Sequence, residues 1–406
     1  MLTDRMRGGE TLVRGEDFLS AQQQKAGYGH KSPTDEMSEK IKDFFLKDTP
    51  GRCLVSLLAL GIIVLQRALR GNTALMRRLS ADFVRPLHRQ LSVLTDRVPF
   101  SIAELLILLA AAFVLFQLGR TVLRLIREGE RLRTLGLFVM SVGSLVLAVY
   151  AGFCILWGVF YYGDDFVTRA GFETRPISTE ELESVTAYFA KLANRYSAGV
   201  PRDAEGVCAS DRKAVLQKSR TVYREAERRC GELAGPPVAA KPFFFSRLLS
   251  LTDFSGFFFP FTGEANVNTD FPPPLFAATV AHELAHQRGV AKEQEANFCA
   301  VYASLLSGDP DYCYSASLMA YTYLGNALYQ ADYEAWERIY DSLNDDVLRD
   351  FAANRRDWQA YETPVQTISN TVYEGFLYSY DQDMGLKSYG ACVDLLVCEY
   401  LDKVES

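Results

Sequence analysis

Histidine is scarce in this chain: four residues among 406. Eight cysteines are present, but no two stand in a Cys-x-x-Cys pair, so a cysteine-built zinc site is not expected. There is no glycine-rich loop of the kind that cradles phosphate and no recognisable nucleic-acid module, which sets nucleotide chemistry and nucleic-acid partners aside. Residues 1–50 are polar throughout and lack the apolar run of a secretory leader, so this segment is expected to be a disordered cytoplasmic tail. At 49% hydrophobic residues, the remainder is too apolar to be disordered or fibrous.

Charge is missing too, in blocks. From Thr134 to Gly163 thirty consecutive residues carry none, more than the roughly 20 needed to cross a bilayer. A second uncharged run covers Leu105–Gly119, extended by Val98–Ala103, with Glu104 near the positive end of the helix dipole. A third, Cys53–Gln66, reaches spanning length if Arg52 and Arg67 snorkel. A buried helix in a soluble core suits the shortest run but not the longest. Three membrane-spanning helices are therefore expected at about 51–69, 99–119 and 135–161, with the lipid bilayer as a partner.

The remaining charge is lopsided: residues 1–161 hold 21 basic and 14 acidic residues, leaving 22 basic and 36 acidic for the rest. Basic residues in short connections mark the cytoplasmic side. Arg120, Arg124, Arg127, Arg131 and Arg133 crowd one connection and place it inside, although the Arg67–Pro99 loop, with seven arginines, must then be translocated. With three crossings, residues 163–406 are expected to form an extracytoplasmic domain. Six cysteines fall there (Cys208, Cys230, Cys299, Cys313, Cys392 and Cys398), and two readings stay open: disulfides or buried thiols.

Two of the four histidines stand in AHELAHQRG. On a helix, His282 and His286 are about 400° apart, so both imidazoles leave the same face and can hold one ion. Glu283 lies beside them. In zinc-dependent hydrolysis the metal activates water and polarises the carbonyl while a nearby carboxylate takes the proton, and His-Glu-x-x-His supplies these groups in two turns. Chance alone produces the pattern in roughly a few chains per thousand of this composition, so its surroundings must carry weight. Asp270 or Thr269 is expected to cap the helix, Pro272–Pro274 to stiffen its start, and Gly289 to end it.

A zinc enzyme needs a third protein ligand and one open position. EQEANFCAVYASLLS follows the Gly289 turn and offers Glu293 or Glu295. Glu293 shares a helix face with Asn297, Ala296 and Ala300, whereas Glu295 points about 200° away, toward Phe298, Cys299 and Tyr302. Glu293 is the favoured ligand, and Asn297 is either a residue that orients a ligand or an ordinary polar position.

These residues resemble the zincin metallopeptidases, and within them the gluzincins, in which the third ligand is a Glu followed four positions later by Asp or Asn, as in Glu293 and Asn297. A metzincin is disfavoured because Lys292 stands where its third histidine belongs. HELAHQRG, EANF, the preceding FPFTGEANVN and three spans are together similar to an uncharacterised family of bacterial membrane proteins with a predicted zincin domain, over most of residues 50–400. The resemblance implies a multi-pass membrane protein with a zinc-peptidase-like site, and supplies no substrate.

Around the motif, Phe257–Asn268 reads as a core strand or as an edge that pairs with an extended peptide. Tyr321 and Tyr323 sit in a Tyr-rich helical stretch as packed rings or as oxyanion donors. Residues 211–230 read as a charged, solvated helix, and GPPVAAKP as a turn or linker. His30 and His88 are expected to have no role.

The expected fold class is therefore mainly α: N-terminal transmembrane helices, then a mostly helical zincin-like α+β domain. The expected activity is membrane-anchored, Zn2+-dependent hydrolysis of a peptide or protein substrate. His282, His286 and Glu293 are the metal ligands, and Glu283 is the catalytic base and acid. The alternative is a catalytically silent zincin-like membrane sensor.

Overall fold

The computed structural model describes residues 32–127, 130–172, 174–379 and 390–405. Residues 1–31 of the expected disordered tail lie outside the described residues. The rest of that tail is helical, a correction with a local cause: Ser32 and Asp35 form a reciprocal capping box that starts a helix at Pro33–Asp43.

The described residues are mainly helical, and among them three helices are long and apolar enough to cross a membrane: Pro50–Leu69, Ile102–Arg127 and Arg131–Leu156. These first, second and third spans leave most of their apolar side chains outward, as lipid contact requires and a soluble core does not. Two boundaries differ from expectation. The arginine-rich connection is almost entirely helix, since the second span runs through Arg127 and the third begins at Arg131. Arginine is a good helix former. Moreover, 26 residues extend about 39 Å against a hydrocarbon core of about 30 Å, so the arginines reach water without breaking the helix. At its other end the third span stops at Leu156 and tightens into a 3₁₀ turn, Gly158–Tyr162.

The segment between the first two spans is not an open loop. It folds into helices Thr73–Arg78 and Arg85–Thr95 joined by a π-helical stretch. Its arginines dock onto the C-terminal region: Arg77 on Asp164 at 2.6 Å, Arg85 on Glu232 at 2.9 Å, and Arg89 on the Ala234 carbonyl at 2.8 Å. Both regions therefore lie at the same end of the spans.

The C-terminal region packs helices around a three-stranded sheet of order β1-β3-β2. β1 (Lys241–Phe243) runs parallel to β3 (Glu264–Asn268), with Lys241 opposite Asn266. β2 (Gly256–Phe259) runs antiparallel to it, with Gly256 opposite Val267. Phe257–Asn268 thus divides into an outer strand, β2, and a central, fully buried one, β3. The core centres on the helix Pro273–Gln287, hereafter the histidine helix, which packs on Glu293–Ser307 and Pro310–Ala331. Small residues on facing sides (Ala277, Ala281, Ala285, Ala296, Ala300) let these helices approach closely.

Residues 211–230 are not one solvated helix but two short ones, Arg212–Lys218 and Arg224–Arg229. Val215, Val222, Tyr223 and Ala226 drive them into the core, where the Tyr223 hydroxyl donates to the Ala281 carbonyl at 2.8 Å. GPPVAAKP leads directly into β1. Of the two readings for cysteine the structure shows buried or half-buried thiols, since none of the eight forms a disulfide.

A buried ion pair ties the sheet to the spans. Lys241 Nζ sits 2.6 Å from Glu264 Oε1 and also donates to the Thr95 and Phe100 carbonyls. Glu264 in turn accepts the backbone N–H groups of Ile102 and Ala103, the first turn of the second span. Glu104, in the same first turn, accepts from the backbone N–H groups of Phe244 and Phe245 just after β1. The Glu264 carboxylate thus meets the positive end of the helix and orphan N–H groups that need acceptors.

Lys241→Met leaves Glu264 as an uncompensated buried charge. It is expected to lower stability by about 3–5 kcal/mol in detergent unfolding. His88, far from being an idle loop residue, is buried between Phe160, Trp157 and Phe258, and burial holds its pKa down to about 4. The unfolded imidazole takes a proton near pH 6.5, the folded one only near 4. Stability is therefore full above pH 6.5 and falls by on the order of 3 kcal/mol as the pH drops toward 4. His88→Phe should flatten that part of the stability–pH curve.

Candidate metal centre

The histidine helix begins at Pro273 with Pro272 as its cap, and neither Asp270 nor Thr269 caps it. Both are engaged elsewhere: Asp270 accepts from Ser250 and Tyr361, and Thr269 meets Ser246. The helix ends as expected at Gly289, whose φ of 83° suits a residue without Cβ; a methyl there would also lie 3.0 Å from the Phe160 ring. The Gly289 N–H donates to the His286 carbonyl and the Val290 N–H to the Ala285 carbonyl, closing the last turn. Residues 288–292 then reverse the chain, so the next helix starts with Glu293 back over the histidines.

Three donor atoms meet there. His282 Nε2 lies 3.0 Å from His286 Nε2 and 3.1 Å from Glu293 Oε2, and His286 Nε2 is 3.5 Å from the same oxygen. A tetrahedral metal centre with bonds of about 2.0–2.1 Å has donor–donor edges of about 3.3–3.4 Å. The triangle is therefore the right size for one face of such a centre. The orientation also fits: His286 Nδ1 donates to the Val290 carbonyl at 2.7 Å, which leaves Nε2 as the nitrogen that would bind an ion on losing its proton. Glu293 is steadied through its other oxygen, which accepts from the Tyr373 hydroxyl at 2.9 Å.

The electrostatics favour a positive charge at this point. Burial alone would lower the His286 pKa, but the Glu293 carboxylate outweighs it and holds it up to about 9. Burial would likewise raise Glu293, and the two histidines hold it well below the ordinary carboxylate range. Glu283 is different: burial pushes its carboxyl up to about 7, and its Oε2 has no hydrogen-bond partner among the described residues. A buried carboxyl oxygen with nothing to bond is costly unless a ligand completes it.

Glu295 turns away, as the 200° separation requires. Its carboxylate accepts from the backbone N–H groups of Phe166 and Val167, anchoring the short helix Phe166–Ala170 that follows the spans. Asn297 is buried but hydrogen-bonds to none of the cluster, so the orienting contacts are those of Val290 and Tyr373. Tyr321 and Tyr323 do not line the cleft. The tyrosines that do are Tyr161 and Tyr373. Their neighbour Trp157 stacks edge-on against His286 at 5.9 Å and donates to the Tyr161 hydroxyl at 3.0 Å. Trp157 and Tyr161 carry the signal of an interfacial aromatic belt in sequence, and nothing local marks Tyr373, eighty residues beyond Glu293.

The cleft measures about 300 Å³ and is bordered by Asn370 and Tyr373 as well as by two main walls. One is the end of the third span with its 3₁₀ turn, from Phe153 to Tyr161; the other is β2, from Gly256 to Phe258. Such a cleft can hold one cation at its floor and present a bound group to Glu283.

The family described as "Protein of unknown function (DUF3810)" matches residues 80–397. No curated protein and no solved structure matches the chain.

Gly256 sets the distance between β2 and the histidine helix. A Cβ there would fall 2.7 Å from Glu283 Cγ and 2.8 Å from the Asn266 carbonyl oxygen. Gly256→Ala is expected to cost about 1–3 kcal/mol by overpacking, read as a lowered unfolding midpoint. Gly231→Ala, where a Cβ meets nothing within 4 Å, is the matched control.

Proposed function

The chain belongs to the DUF3810 family, a membership that names no reaction. From the site's geometry we propose a membrane-anchored zinc peptidase that hydrolyses amide bonds in a peptide or protein substrate. One observation carries this reading: two imidazole nitrogens and a carboxylate oxygen converge at 3.0–3.5 Å, next to a buried carboxyl oxygen without a partner. In this reading the C-terminal region is a zincin-like domain on the extracytoplasmic side, opposite the arginine-rich ends of the second and third spans.

His282, His286 and Glu293 hold the ion, with Val290 and Tyr373 fixing the orientation of His286 and Glu293. Two nitrogens and one oxygen suit zinc and leave a fourth position for water or substrate. Bound zinc supplies water activation and carbonyl polarisation. Glu283 accepts the proton of the attacking water at Oε2 and hands it to the leaving nitrogen. β2 is an edge strand of its sheet, the one beside the cleft, and an extended peptide laid along it presents a backbone amide to the cleft. Because the opposite wall is the end of a membrane-spanning helix, substrate is met at the bilayer surface.

Full-length protein in detergent is assayed against a mixture of quenched fluorescent peptides. Cleavage should stop with a chelator and return with zinc. Glu283→Gln should reduce turnover about 10²–10⁴-fold while zinc content stays at the wild-type level. Undiminished turnover in that variant contradicts the assignment of Glu283. Bound zinc with no cleavage by wild type favours a silent sensor.

A further inference from the structure

A second polar cavity lies at the other end of the spans, far from the histidines. It measures about 240 Å³ and is formed by the start of the first span, the last turns of the second and the first turns of the third. Four arginines reach it: Arg52, Arg120, Arg124 and Arg133. Among the described residues two acids do, and both are taken, since Arg133 binds Asp48 at 2.8 Å and Glu130 at 2.9 Å. Arg52 and Arg120 make no hydrogen bond or ion pair with the described residues. The cavity therefore holds surplus positive charge.

Its inner lining adds an independent sign of a ligand. Gln117 is 6% exposed and Thr134 3%, both face the cavity, and neither side chain has a hydrogen-bond partner among the described residues. At 1.5 Å per residue Gln117 sits roughly 15 Å along the helix from Arg127, within the depth of a bilayer. Gln117 and Thr134 both line the cavity, so a polar ligand in it gains hydrogen bonds that the described residues do not already occupy. The cavity is also reachable from the lipid. The first and second spans both pack on the third but barely on each other, which leaves a lengthwise groove between them.

We propose that this cavity binds the phosphate of an anionic phospholipid headgroup, with the acyl chains in the groove between the first and second spans. Arg52 and Arg120 donate to the phosphate oxygens, and Gln117 and Thr134 bond the inner face of the headgroup. A basic pocket between helices at the arginine-rich end of the spans is suited to such lipids. The site does not depend on the hydrolytic reading, and its occupancy is measurable without any assay of cleavage.

The test uses the full chain, delipidated in neutral detergent. Short-chain phosphatidylglycerol, short-chain phosphatidylcholine and inorganic phosphate are titrated separately. Unfolding midpoint and, by native mass spectrometry, retained lipid are recorded. Phosphatidylglycerol should bind at least tenfold more tightly than phosphatidylcholine and raise the midpoint. Arg52→Gln combined with Arg120→Gln should weaken that binding roughly tenfold or more. Gln117→Leu, which removes no charge, should also weaken it, separating a cavity from diffuse surface attraction. Arg131→Gln, outside the cavity, should leave it unchanged. If the double variant fails to fold, Gln117→Leu alone decides. Equal binding of the two lipids, or phosphatidylglycerol binding that neither the double variant nor Gln117→Leu alters, overturns the proposal. Stabilisation by inorganic phosphate without any lipid effect overturns the lipid assignment and leaves a soluble-anion site.

Discussion

The arrangement depends on a reversal of the chain over five residues. The histidine helix must stop one turn after His286, and Gly289 stops it because its left-handed backbone would strain any residue with a Cβ, with Phe160 closing the space beside it. Glu293 then starts the next helix within 3.1–3.5 Å of both imidazoles. Without that turn the carboxylate would be elsewhere, and two buried histidines would face each other at 3.0 Å with no counter-charge. Such a cluster is expensive to assemble empty and suited to one cation.

The second constraint connects the site to the membrane. Glu264 binds the first turn of the second span while Lys241 neutralises it, and Glu104 of that span holds the chain after β1. The third span leads into Trp157 and Tyr161, which form a wall of the cleft, and Trp157 packs against His286. The spans are therefore part of the site rather than a tether. A truncated C-terminal region would lose a wall of its own cleft and expose the face that Arg77, Arg85 and Arg89 cover.

What the sequence revealed and what it concealed follow from the range of the interactions. His282, Glu283 and His286 were legible because helical period alone puts them together. Glu293 could be preferred to Glu295 because two positions on a helix differ by about 200°, and the structure sends the two carboxylates to opposite sides. The spans were legible from uncharged length. Their ends were not, because the arginines that look like a loop extend the helices instead. Val215 and Tyr223 were hidden in a charged stretch that only tertiary packing turns inward. Tyr373, Trp157 and the N–H groups held by Glu295 reach their partners through contacts 80 to 129 residues apart, and no local pattern encodes those.

The central claim is that His282, His286 and Glu293 together hold one zinc ion. Metal analysis of the purified full-length protein with X-ray absorption at the zinc edge tests it most directly. One zinc per chain is expected, bound by two imidazole nitrogens and oxygen at about 2.0–2.1 Å. His286→Ala is expected to lose the zinc. Metal-free protein after incubation with zinc, or the same zinc content in both proteins, contradicts it.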